Sequence, residues 1–308
     1  MNTPGYPSSA RVATSLGFGF RVGHWSDPAA ETGCTVILPP PANVTSVDIR
    51  GTSPGSRELP SLDVERTRTD VHAILLAGGS AYGLDAASGV MEWLEEQGVG
   101  HPVGFTVVPI VPAAVIFDLG FGRHDVRPGP KEGRAACDDA RSDDIETGRV
   151  GVGAGATVGK WAGREFASPG GLGIATAERD GERVSAVAVA NPVGDVIAAD
   201  GSVIAGTRNP EPRYMGVPGT PTMPDNTVLA VVATQATITK QDARFIAARG
   251  ADGVTVSVRP AHTRYDGDVV FACAAPDPSG RVADVDVLGH LATEAVAEAV
   301  RSAVRPRD

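Results

Sequence analysis

Between Thr207 and Pro224 the chain reads TRNPEPRYMGVPGTPTMP, with five prolines in eighteen residues. Each proline fixes its own φ and removes a backbone donor, so no helix and no central strand can run through this stretch. It reads as an exposed, extended connection. An apolar run, TVLAVVAT, begins immediately afterwards at Thr227 and reads as a strand. The segment beyond the connection is too short for a comfortable core of its own. The 308 residues are therefore expected to form one α/β domain, 1–308, whose two parts pack together.

The rest of the chain punctuates itself in the same way. Thr35–Leu38 is a short strand ended by prolines. Val71–Ala77 is an apolar strand, followed by a Gly78-Gly79-Ser80 turn. A helix comes next, with Leu84, Ala87, Val90, Met91 and Leu94 on one face and Gly98 as its stop. Phe105–Val111 and Ala114–Leu119 are further strand candidates. The acidic stretch Cys137–Glu146 reads as a solvated loop or exposed helix. Arg183–Ala190 is a strand, Asn191-Pro192-Val193-Gly194 a turn, and Val196–Ala199 its return. Thr239 with Asp242 resembles a capping box, opening a helix that Gly250 closes. Val269–Ala274 is a strand and Leu288–Val304 an amphipathic helix.

A formal net charge of −10 argues against nucleic acid or an anionic membrane as partner, because both call for a basic surface. Three cysteines without a CxxC pair suit a reducing cytoplasm. No run reaches transmembrane length, and the first residues lack the pattern of a signal peptide. GVGAGATVGK is not a phosphate loop: Ala154 stands where a glycine is required, and Trp161 follows Lys160 in place of Ser or Thr. AGGSAYG lacks the dinucleotide spacing. The six histidines form neither HxxxH nor HxH, and no GxSxG is present. No cofactor or metal is expected.

Two short features remain. Asp266 and Asp268, in YDGD, would share one face of a strand, where such a pair holds a cation, shares a proton or orients an amine. An Asp-Gly turn is the structural alternative. The second feature is Asn226-Thr227. A threonine hydroxyl needs a base, and a threonine at a chain N-terminus carries one. Its α-amine has an ordinary pKa of about 7.7–8.0, so it is partly neutral near physiological pH. Attack of the same hydroxyl on the Asn226 carbonyl, through an ester that water hydrolyses, would expose it. Asp266 or Asp268 would then orient the amine. If the bond stays intact, Asn226-Thr227 is a turn before a strand, and the chain is an uncleaved scaffold that binds a small molecule.

The motifs AGGSAYGLDAASGV, PAAVIFD, AGATVGK, VANPVGD, DNT and HTRYDGDVVFA together resemble the self-cleaving aminopeptidases, which include the L-aminopeptidase/D-esterases and β-aminopeptidases. The resemblance is greatest to the 6-aminohexanoate-oligomer (nylon-oligomer) endo-hydrolase branch and runs from GHWSDPAAETGCTVI to the last helix. It implies a layered α-β-β-α sandwich, similar to N-terminal-nucleophile hydrolases but with different connectivity. It also implies cleavage between Asn226 and Thr227 into chains 1–226 and 227–308, and a homotetramer of cleaved protomers. Thr227 matches the nucleophile, Asp266 and Asp268 the paired acids, Asn191 the oxyanion donor and Lys160 an active-site lysine. Phe117 stands where the family has a tyrosine in its substrate pocket, and nearby Tyr82 is a candidate replacement for the missing phenol. Implied substrates are short oligoamides or peptides, with a β-aminopeptidase-like activity as the alternative. Acetyl transfer is disfavoured, because DNT does not resemble the motif around the threonine of those relatives.

Overall fold

The structure, a computed structural model, describes residues 9–212, 226–280 and 282–305. Residues 213–225, most of the proline-rich connection, lie outside that range.

Two sheets carry the fold. The first, six-stranded among the described residues, is built from β1 (Arg11–Val12), β4 (Val44–Ile49), β8 (Gly171–Arg179), β9 (Glu182–Asn191), β10 (Thr227–Gln235) and β11 (Val269–Ala275). Their order is β1-β8-β9-β10-β11-β4, antiparallel throughout except for the β10–β11 pair. The second sheet contains β2 (Arg21–Asp27), β3 (Thr32–Leu38), β5 (Ser56–Arg57), β6 (Ile74–Ala77) and β7 (Ala113–Val115), in the order β2-β3-β6-β7-β5. Helices α1 (Ala86–Glu96) and α2 (Pro130–Asp138) cover the outer face of the second sheet. Helices α3 (Lys240–Ser257) and α4 (Val285–Ser302) cover the first.

The period-2 rule of strands builds these four layers. In β9, Val187 and Val189 enter the core between the sheets, while Ala186, Ala188 and Ala190 face α3 and α4. In β10, Leu229, Val231 and Ala233 point between the sheets, and Val228, Ala230 and Val232 point to the helices. Phe20, Phe271, Ile37, Ile74 and Leu76 fill the same inter-sheet core and are fully buried. Each such side chain contributes about 1.5–3 kcal/mol relative to exposure. Because both faces are buried, these strands read as near-continuous apolar runs rather than as alternating ones.

Helix ends follow their local chemistry. Gly98 has φ 68°, its N–H bonds Glu95 O, and Val99 N–H bonds Leu94 O, which closes α1 in a Schellman motif. Thr239 caps α3 reciprocally with Asp242. Gly250, however, does not end α3, which continues to Ser257. A Cβ there would lie 3.0 Å from Val270 Cγ1 and 3.1 Å from Val232 Cγ2, so this glycine lets the helix seat on the sheet. Leu84 lies in a 3-10 turn before α1, not in the helix. The stretches 105–111 and 114–119 shorten to strands at Val107–Val108 and Ala113–Val115. The return after Asn191 is a strand at Asp195–Ile197, but it pairs with Val203–Ala205 and Val258–Arg259 rather than with β9. No described helix is long and apolar enough to cross a membrane.

Gly250→Val should destabilise the fold by about 1–3 kcal/mol through overpacking between α3 and the sheet. The shift in urea midpoint at unchanged slope measures it.

Candidate active site

The site forms where β9 ends, β10 begins and the loop before β11 turns in. Antiparallel pairing puts Asn191 opposite Thr227, and a parallel bridge joins Asn226 to Asp266. The structure thereby brings together Thr227, Asn226, Asn191, Asp266 and Asp268, all at most 5 % exposed.

The bond between Asn226 and Thr227 lies at its centre. The Asn226 carbonyl oxygen accepts the Gly267 N–H at 2.9 Å and the Thr227 hydroxyl at 2.5 Å. A Cβ on Gly267 would stand 3.0 Å from Thr227 Oγ1 and 2.6 Å from the Ser53 carbonyl oxygen, so only glycine fits between them. A carbonyl polarised by two donors, one of them the adjacent hydroxyl, is prepared for attack.

The two acids approach from the β11 side. They lie just before the strand, with Gly267 as the turn between them, so the features weighed as alternatives coexist. Asp268 Oδ1 accepts the Val228 N–H at 2.6 Å. Asp266 Oδ1 accepts the Val193 N–H at 3.2 Å, and its Oδ2 lies 2.8 Å from Thr263 N and 2.6 Å from Thr263 Oγ1. Burial, and then the neighbouring charge of Asp268, push the Asp266 pKa up to about 6. His262 joins them: its Nδ1 is 2.7 Å from Asp268 Oδ2 and its Nε2 is 3.1 Å from the Ala251 carbonyl in α3.

On the β9 side, Asn191 Oδ1 accepts Lys160 Nζ at 2.9 Å and Thr157 N–H at 3.0 Å. Two donors on one oxygen fix the orientation of the amide. Its Nδ2 faces the other way, 3.5 Å from the Phe117 carbonyl. Lys160 is buried, with Thr157 O, Thr157 Oγ1 and Asn191 O also around Nζ. Through its bond to Oδ1 it helps orient the asparagine.

Phe117 is half-buried beside this arrangement, and the Arg164 guanidinium lies 5.6 Å from its ring centroid. Tyr82 is 60 % exposed and its ring lies under Arg127 at 3.8 Å. It makes no hydrogen bond to the cluster, which leaves the position of the family's phenol unfilled by it. The three cysteines are buried free thiols, and burial pushes all three upward, Cys137 and Cys273 to about 12, which makes them poor nucleophiles.

Sequence reasoning missed Gly267, Thr157, Thr263 and His262. Gly267 acts through a backbone N–H, which no residue type announces. His262 has a visible signal, its place in the HTRYDGD motif six residues before Asp268.

Known proteins resemble this chain over most of its length. An uncharacterized aminopeptidase of Mycobacterium tuberculosis is 41 % identical over 280 residues, covering 83 % of this chain and 79 % of the relative. A 6-aminohexanoate-oligomer endohydrolase of Paenarthrobacter ureafaciens is 31 % identical over 296 residues, covering 88 % and 80 %. The structure of the L-aminopeptidase D-Ala-esterase/amidase of Ochrobactrum anthropi, described as a new variant of the Ntn hydrolase fold, superposes with a TM-score of 0.69 at 18 % identity, covering 97 % of this chain and 88 % of that one. This likeness bears out the layered α/β fold. The family model of peptidase family S58 matches residues 18–306. By that match over nearly its whole length, this chain belongs to peptidase family S58 and is an amide hydrolase of the peptidase type.

Proposed function

We propose that the chain cuts its own Asn226–Thr227 bond and then works as an N-terminal threonine amidohydrolase. The observation that carries this reading is the Asn226 carbonyl, held between the Gly267 N–H and the Thr227 hydroxyl.

In the first reaction Thr227 Oγ1 attacks the Asn226 carbonyl carbon. The C–N bond breaks, the proton lost by the hydroxyl is taken up by the Thr227 nitrogen, which becomes the α-amine, and the acyl group rests on Oγ1 as an ester. Water then hydrolyses the ester, releasing the Asn226 carboxylate and restoring the Thr227 hydroxyl beside the freed α-amine. Asp268, anchored on the Val228 N–H one residue beyond the scissile bond, is placed to orient that amine. Thr227 is only 5 % exposed in the continuous chain, so release of the Asn226 end also opens the nucleophile to substrate.

In the second reaction Thr227 Oγ1 attacks a substrate amide carbonyl, and its α-amine accepts the hydroxyl proton. The Asn191 Nδ2–H, oriented by Lys160 and Thr157, stabilises the tetrahedral oxyanion. The departing amine takes the proton, and water cleaves the acyl-enzyme. Asp266 and Asp268 tune the amine electrostatically, and Phe117 lines an apolar side of the substrate pocket.

Short oligoamides and small peptides are the proposed substrates. The 31 % identical relative carries the oligoamide name and favours the first. The 41 % identical relative, named an aminopeptidase, favours the second. The cleaved protomers are expected to assemble as tetramers in the cytoplasm.

Intact mass under denaturing conditions should show two chains, the smaller starting at Thr227 and weighing about 8 kDa in proportion to its length. Thr227→Ala should abolish both cleavage and hydrolysis. A full-length chain that stays uncut would return the weight to an uncleaved binding scaffold. Gly267→Ala should slow self-cleavage about 10²-fold or more, followed as chain conversion on denaturing gels. Asn191→Ala should still cut itself, because Gly267 serves that carbonyl, yet lose about 10²–10³-fold in kcat on an amide substrate.

A further inference from the structure

His262 lies outside the roles assigned above, yet it is bonded at both ring nitrogens. Its Nε2 meets the Ala251 carbonyl at 3.1 Å, and its Nδ1 meets Asp268 Oδ2 at 2.7 Å. A backbone carbonyl only accepts, so Nε2 carries a hydrogen. A neutral ring would then turn the Nδ1 lone pair toward a carboxylate oxygen, a repulsive contact unless a proton lies between them. His262 also has φ 51°, the left-handed region, so the chain holds an unfavourable backbone conformation at this residue.

The two carboxyls differ in their partners. Asp268 faces donors: the His262 ring at Oδ2 and the Val228 N–H at Oδ1. Asp266 also accepts backbone N–H groups, from Val193 at Oδ1 and from Thr263 at Oδ2, but its third partner, the Thr263 hydroxyl 2.6 Å from Oδ2, can accept a hydrogen as well as give one. A proton taken up by the pair is therefore accommodated at Asp266 Oδ2, directed to the Thr263 hydroxyl, rather than on Asp268.

We propose that His262 is a positioning residue, held as an imidazolium against Asp268, that keeps the negative charge of the acid pair on Asp268, leaves the shared proton to Asp266, and thereby sets the acid limit of the Thr227 reaction. The proposal rests on the threonine mechanism for its link to catalysis, although the charge of His262 is testable without it.

The surrounding charges are consistent with this assignment. The Arg50 guanidinium is the nearby cation that opposes protonation, but it is bonded to Asp48 at 2.8 Å and Asp252 at 2.7 Å. From α3 the Ala251 carbonyl meets the ring and Asp252 holds Arg50, and from the loop before β11 Asp268 meets it. Burial works against the imidazolium, and the hydrogen bond and charge of Asp268 outweigh it, holding the His262 pKa above its ordinary value. His24 and His72 are instead held below theirs, chiefly by burial.

Two measurements test the proposal. In full-length protein labelled with ¹⁵N at histidine, the His262 signals, assigned by their absence in His262→Gln, should show both ring nitrogens protonated at pH 7. His262→Lys gives the same assignment if His262→Gln does not accumulate. A ring that is singly protonated at pH 7 overturns the proposal, whether or not the chain has cut itself. The second measurement is the pH profile of kcat/KM on an amide substrate. The acid limb of the unaltered enzyme, to which the Thr227 α-amine and the acid pair both contribute, is the reference. Removing the cation in His262→Gln lets the pair hold its proton more tightly, so the limb should move up by about one pH unit or more while the plateau kcat changes less than about threefold. His262→Lys, which restores a cation, should bring the limb back toward its position in the unaltered enzyme. An unmoved limb with a uniform fall in kcat and thermal midpoint would mean that His262 only ties the loop to α3, and would overturn the proposal.

Discussion

Strand β10 has an antiparallel neighbour on one side and a parallel neighbour on the other, and the site depends on that asymmetry. The antiparallel partner β9 runs toward the first residue of β10 and delivers Asn191 opposite Thr227. The parallel partner β11 starts beside the same end and delivers the loop that carries Asp266, Gly267 and Asp268. A strand flanked by two antiparallel neighbours would have a strand end on each side here. The parallel pairing instead puts a strand entry on one side, where a tight turn can aim a backbone N–H at a carbonyl.

Charge burial then dictates the second tier of residues. Lys160, Asp266 and Asp268 are each at most 3 % exposed, and an unpaired charge at such depth would be costly. Lys160 is surrounded by oxygens of Thr157 and Asn191, and the acids by Thr263, Val193 N–H, Val228 N–H and His262. These partners also set directions. By engaging Asn191 Oδ1, Lys160 leaves the amide donors aimed elsewhere, and His262 and Thr263 distinguish two carboxyls that are chemically alike.

Much of this was readable beforehand where the information is local or carried by motif. The Thr239–Asp242 cap and the stop at Gly98 are governed by their own few residues, and both stand as read. The DNT and DGD motifs, through the family resemblance, located residues that the fold does bring together. What was not readable depends on tertiary partners. Gly250 looked like a helix stop because its packing role belongs to Val232 and Val270, distant in sequence. The strand after Asn191 looked like a hairpin return, yet its partner is Val258–Arg259. Tyr82 follows the Gly78-Gly79-Ser80 turn and faces outward under Arg127, a choice of side that apolar periodicity does not record.

The sheet order has one more consequence. Strands β10 and β11, from the segment after Asn226, lie between β9 and β4, both from the segment before it. The shorter segment thus supplies a pair of strands that the longer one flanks on both sides. With the bond cut as proposed, the native molecule would keep every sheet contact, but its unfolding would release two chains instead of one. Refolding would then become a bimolecular encounter, so persistence at low concentration would rest on slow unfolding rather than on easy return. Self-cleavage would make the fold a one-time assembly, completed while the segments are still joined.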